Sequence, residues 1–181
     1  EQIFIGDDTH KTAVFDNGRG YIEKDWGKSL SSAWIWMQTN HFSQPGSSLT
    51  ASIAMIPWQF TRFRGFIVGL WHEEQLYRFA TYTGAETTEL AVSDTEVQWV
   101  LRGKTAGAEH ELRLRATRAE AGILAGPSTV DMGRRVAESL TAAVEVELVQ
   151  RVDGRERLLF ADTGQYAGLE VHNVQEELLK S

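Results

Sequence analysis

Apolar and polar residues alternate one by one along most of this chain. In the run from Val97 to Arg102, Val97, Trp99 and Leu101 share a face. From His110 to Ala116, Leu112 and Leu114 oppose Arg113 and Arg115. From Ala143 to Gln150, Val144, Val146 and Leu148 alternate with Glu145 and Glu147. A period of two with one apolar face predicts strands half buried in an antiparallel sheet. Turn signals separate the runs at hairpin spacing: residues 16–20 (DNGRG), 44–48 (QPGSS), 72–75 (HEEQ), 83–86 (TGAE), 93–96 (SDTE), 105–109 (TAGAE), 152–156 (VDGRE) and 162–165 (DTGQ). Their Asn, Asp and Gly residues accept the positive φ that tight hairpins need. The pattern predicts an all-β, antiparallel fold of about nine to ten strands, closed as a barrel or folded as a sandwich. Two segments depart from it. Residues 118–142 carry Gly, Pro and Ser, then a short helix near 132–140, and residues 174–181 (VQEELLKS) offer a C-terminal helix.

Composition narrows the function classes. The 181 residues make one domain, able to bury a core without staples. There is no cysteine, so thiol nucleophiles and disulfides are excluded. A net charge of −7 argues against nucleic acid, whose affinity comes from Lys and Arg neutralising phosphate. No apolar run is long enough for a transmembrane segment. The five histidines are scattered, so no metal is expected. P-loop, G-x-G-x-x-G, G-x-S-x-G and H-E-x-x-H signatures are absent. No cofactor is expected.

One stretch stands apart: GYIEKDWGKSLSSAWIWMQTNHF, residues 20–42, with three tryptophans. Read as a strand of eleven residues from Ser32, about 36 Å long, it places Trp34, Trp36, Gln38, Asn40 and Phe42 on one face. Ile35, Met37, Thr39 and His41 take the other. A face that is aromatic at one end and amide at the other suits a ligand pocket. Core packing is the commoner fate of a tryptophan. In the preceding segment Tyr21, Glu23 and Asp25 share one side, with Ile22, Lys24 and Trp26 opposite. A solvated acidic face and an acid desolvated beside aromatics are both open readings. Paired acids among tryptophans also suit sugar cleavage, but acids two apart on one strand fit its geometry loosely.

The acid-Lys-acid-Trp-Gly motif of residues 23–27, followed by the aromatic-x-aromatic-x-Gln-x-Asn strand, resembles the tocopherol cyclase family. Weaker similarity continues through residues 65–85, 121–148 and 163–171. The resemblance implies a lipocalin-like β-barrel shared with carotenoid hydratases and some Diels–Alderases. It implies that residues 1–181 are one such domain, the C-terminal half of a two-domain protein whose N-terminal domain is missing here. It implies cofactor-free, acid-catalysed cyclisation of a prenylated quinol or polyene lipid, or a related isomerisation or hydration. That chemistry needs a strong acid in a dry site and aromatic faces for a tertiary cation. On it, Asp25, Glu23 and Tyr21 are the expected catalytic residues. Trp26, Trp34, Trp36, Gln38 and Asn40 are the expected substrate-binding residues. A cytoplasmic protein, at most peripheral to a membrane, fits these expectations. The alternative is a non-catalytic lipocalin-like domain that holds a hydrophobic ligand.

Overall fold

The computed structural model of the protein describes residues 2–5, 11–14, 18, 20–24, 31–126 and 134–180. Strands β1 (Gln2–Ile5) and β2 (Lys11–Val14) form a separate two-stranded ladder. The remaining ten strands form one antiparallel sheet: β3 (Trp34–Thr39), β4 (Ser48–Trp58), β5 (Thr61–His72), β6 (Gln75–Ala80), β7 (Glu86–Val92), β8 (Glu96–Thr105), β9 (Ala108–Thr117), β10 (Gly122–Gly126), β11 (Arg134–Val152) and β12 (Arg155–His172). Their order is β6-β5-β4-β3-β12-β11-β9-β8-β7, and β10 continues the line of β9 along β11. The expected antiparallel all-β fold is therefore present as a barrel-like sheet that does not close.

Local chemistry sets the hairpins. The central pairs Glu73–Glu74, Ala106–Gly107 and Asp153–Gly154 all have positive φ, as tight turns matched to strand twist require. These three turns fall where the sequence pattern puts them. One other expectation does not hold. The short helix near 132–140 is strand from Arg134 onward. Glu138 pairs with Gly122 on one side and Glu170 on the other, so ladders on both edges override the local helical reading. Met132 and Gly133 lie outside the described residues, as do most of residues 16–20. The C-terminal helix is reduced to one π-helical turn, Val174–Leu178, begun at Asn173 with φ 49°.

The DTGQ segment is not a turn either. Gly164 sits inside β12 because the sheet is crowded there: a Cβ on it would lie 2.3 Å from Thr39 Cγ2. Gly164→Ala should therefore cost roughly 1–3 kcal/mol by overpacking, read as a lower urea midpoint. Adding Thr39→Ser, which deletes the offending methyl, should restore part of the loss. A fully neutral Gly164→Ala would refute the close approach.

The core fills the inside of the curled sheet. Ile35, Met37, Leu49, Ile53, Leu70, Phe79, Trp99, Leu101, Leu112, Leu148 and Phe160 are all below 2% exposed or at 2%. Opposite walls touch directly: Phe66 of β5 meets Trp99 of β8 edge-on at 6.1 Å, and Tyr77 of β6 meets His110 of β9 at 5.3 Å. The π-helical turn buries Val174 and Leu178 in the same cluster. At the open seam, Phe79 of β6 and Ala85 press against Gly103 of β8, where a Cβ would come within 3.1 Å and 3.0 Å of them. Outside, β8, β9 and β11 carry an Arg–Glu lattice. Buried Glu111 accepts hydrogen bonds from Arg102, Arg113 and Arg151, and Arg115 pairs with Glu96 and Glu145. Burial pushes the Glu111 carboxyl up, but the Arg102 and Arg113 hydrogen bonds and the arginine charges outweigh it and hold it below the usual range.

Candidate active site: an acid and tryptophan cluster on the outer face of β3 and β12

Strand β3 divides its side chains as the alternation predicts. Ile35, Met37 and Thr39 are buried inside, and Trp34, Trp36 and Gln38 are half-buried outside. The aromatic and amide face thus lies on the far side of the sheet from the packed core. It is shorter than the eleven-residue strand expected, because regular pairing ends at Thr39.

Cross-strand register assembles the rest of the face. Trp36 stands opposite Glu170 on β12 and Ser52 on β4. Trp34 stands opposite His172, and the two rings stack with centroids 4.4 Å apart. Glu170 in turn stands opposite Glu138 of β11, and directly opposed side chains have Cβ atoms about 5 Å apart. Trp34 Nε1 donates to Glu170 Oε2 at 2.6 Å. Gly168, opposite Gln38, leaves the space the cluster needs. A Cβ on it would lie 2.8 Å from Trp36 Cζ3 and 3.9 Å from Glu138 Oε1. The Trp36 ring and the Glu138 carboxyl therefore abut the same point above the β12 backbone.

The segment Tyr21–Lys24 crosses this face without strand pairing, so the regular alternation expected there is absent. Its side chains still converge. Tyr21 Oη donates to Glu23 Oε2 and lies 3.0 Å from Thr50 Oγ1. Trp36 Nε1 also donates to Glu23 Oε2, at 3.2 Å, and the Tyr21 and Trp36 rings are 6.3 Å apart. Of the expected site residues, Tyr21, Glu23, Trp34 and Trp36 meet in one cluster. Gln38 shares their face one step along β3, and Asn40 follows the strand's end, half-buried. Asp25 and Trp26 lie outside the described residues.

The cluster's electrostatics centre on residues that sequence reasoning missed. Burial raises the pKa of the Glu138 carboxyl, and the neighbouring Glu170 charge raises it further. Glu138 was hidden in the segment read as a helix. Glu170 and His172 do carry a signal, because they alternate with Leu169 and Val171 in the closing strand. Among the described residues no group of three or more His, Asp or Glu is placed to hold a metal ion. The face thus sets two tryptophan side chains beside one carboxyl with a raised pKa, Glu138, and one that accepts a hydrogen bond from Trp34, Glu170.

A family model described as tocopherol cyclase-like matches residues 7–173, and the chain belongs to this family. Among curated relatives, it is similar to the chloroplastic tocopherol cyclase of Zea mays, 28% identical over 167 residues. It is also 28% identical over 165 residues to the probable chloroplastic tocopherol cyclase of Oryza sativa subsp. japonica. Each alignment covers 87% of this chain and 34% of the relative, so the chain spans about a third of their length. No solved structure matches it.

Proposed function

We propose that the outer face of β3 and β12 carries out cofactor-free, acid-catalysed cyclisation of a prenylated quinol or polyene lipid, or a related isomerisation or hydration. The observation that carries this reading is Glu138, a carboxyl raised by burial and by Glu170, which borders the same space above Gly168 as the Trp36 ring. Protonated Glu138 gives its proton to a trisubstituted alkene, and the π electrons form the new C–H bond. The tertiary cation then lies over the faces of Trp34 and Trp36, whose quadrupoles favour positive charge. The phenol oxygen attacks the cation and closes the ring, and its proton returns to the Glu138 carboxylate. Glu23 and Tyr21, with Gln38, orient the quinol head. The relatives' greater length supports reading this chain as part of a larger protein.

The test is incubation of the chain with a prenylated hydroquinone in deuterated water. The expected product is a chromanol carrying one deuteron on the carbon next to the new quaternary centre. Saturable tryptophan quenching by the hydroquinone with no product would assign the face to binding alone.

A further inference from the structure

We propose that the β4–β5 hairpin tip is a docking element for an anionic lipid bilayer, and that it delivers apolar ligand along the outer face toward the acid cluster. The hairpin outruns its neighbours. Pairing with β3 stops at Ala54 and pairing with β6 stops at Ile67, yet the β4–β5 ladder continues to Trp58 and Thr61. Four residues of β4 and six of β5, about 13 to 20 Å, project beyond the flanking strands.

The residues at the projection suit an interface between water and hydrocarbon. Phe60 is 105% exposed and Trp58 60%, and Phe63 is exposed behind them. Arg62 and Arg64 flank them. From residue 26 to residue 72 the chain has no Asp or Glu, although its net charge is −7. The projecting hairpin thus carries two arginines and no acid of its own. Nearby, Arg62 pairs with Glu177 at 2.9 Å, and Arg64 Nη1 approaches the Leu178 carbonyl at 3.5 Å. Aromatic side chains at a turn with flanking arginines match the chemistry of membrane-surface anchoring, where rings enter the headgroup boundary and basic groups meet anionic lipid. Among the described residues no helix is long and apolar enough to cross a membrane.

Register connects the tip to the site. Trp58, Ile56 and Ala54 share one face of β4, opposite Thr61, Phe63 and Gly65. Ile56 and Phe63 close over Gly65, where a Cβ would meet them at 2.8 Å and 3.1 Å. Ala54 is the register partner of Trp34. An apolar track therefore runs from the exposed tip to the tryptophan cluster on one side of the sheet.

Co-sedimentation of the full 181-residue chain with phosphatidylcholine vesicles, with and without phosphatidylglycerol, tests the proposal. Partitioning onto the mixed vesicles is expected. Trp58→Ser with Phe60→Ser should lower it by about 100-fold, about tenfold for each aromatic withdrawn from lipid. Arg62→Gln with Arg64→Gln should remove the preference for phosphatidylglycerol. Brominated lipid should quench the wild type, and Trp58→Phe should lose that quenching. An unchanged circular dichroism spectrum, expected because the tip lies beyond the sheet, confirms that each variant folds. No partitioning, partitioning indifferent to the tip, or a tip-dependent dimer without vesicle binding would each overturn the proposal. The readout is binding rather than turnover, so its failure leaves the acid-cluster reading of the site intact.

Discussion

Glu138→Gln should lower turnover of a prenylated hydroquinone by about 10²- to 10⁴-fold, the usual contribution of a positioned general acid, with quinol binding retained. The amide keeps the carboxyl's shape but has no proton to give an alkene. Activity in the wild type should fall as pH rises through the elevated pKa of Glu138. Burial is the larger cause of that elevation and Glu170 the second. Glu170→Gln should therefore move the falling limb to lower pH without abolishing it. Stability supplies an independent readout of the raised pKa itself. The fold favours protonated Glu138, so its contribution is fully present below the ordinary glutamate range and is lost as pH rises through the raised pKa. Glu138→Gln should accordingly melt higher than wild type at neutral pH, with the gain vanishing in acid. Full turnover in Glu138→Gln would move the proton donor elsewhere, first to Glu23 or Asp25.

Trp99→Ala should be the most damaging single change to the fold, costing about 3–5 kcal/mol. For a domain of this size that is a fall of roughly 6–20 °C in melting temperature. Trp99 is fully buried, its ring meets Phe66 across the barrel, and its Nε1 donates to Thr87 Oγ1 at 3.1 Å. Truncation empties the contact between opposite walls and strands the Thr87 hydroxyl. Trp34→Ala, on the half-buried outer face, should cost markedly less. Equal losses in urea titrations of the two variants would mean that the interior is not where the fold's stability lies.

These two tryptophans show what could be read from the sequence and what could not. Trp99 shares one face with Val97 and Leu101, with Glu96, Gln98 and Arg102 on the other, so its face follows from local pattern alone. β3 has two substantial faces, and nothing local says which turns inward. That choice is made by its neighbours: β12 and β4 flank it, and the curl of the whole sheet selects Ile35 and Met37 for the core. The three positive-φ hairpins were legible because turn chemistry is local. Gly164 was misread for the opposite reason, since its need for space comes from Thr39, far away in sequence. Glu23, Tyr21, Trp34 and Trp36 were legible as chemistry, and they do meet. Glu138 was not, because its carboxyl acquires its character from burial in the assembled sheet and from register with Glu170.

The long-range pairing of β3 with β12 also has a kinetic consequence. The β4–β5, β8–β9 and β11–β12 hairpins close over their own short turns, whereas the Trp34–Glu170 contact spans 136 residues. Loop-closure entropy delays such contacts until local pairs have formed. The acid cluster should then be born in the last step of folding and lost in the first step of unfolding. Substitutions there should speed unfolding and leave the folding rate nearly untouched, so the acid cluster and the fold's kinetic persistence depend on the same strand pair.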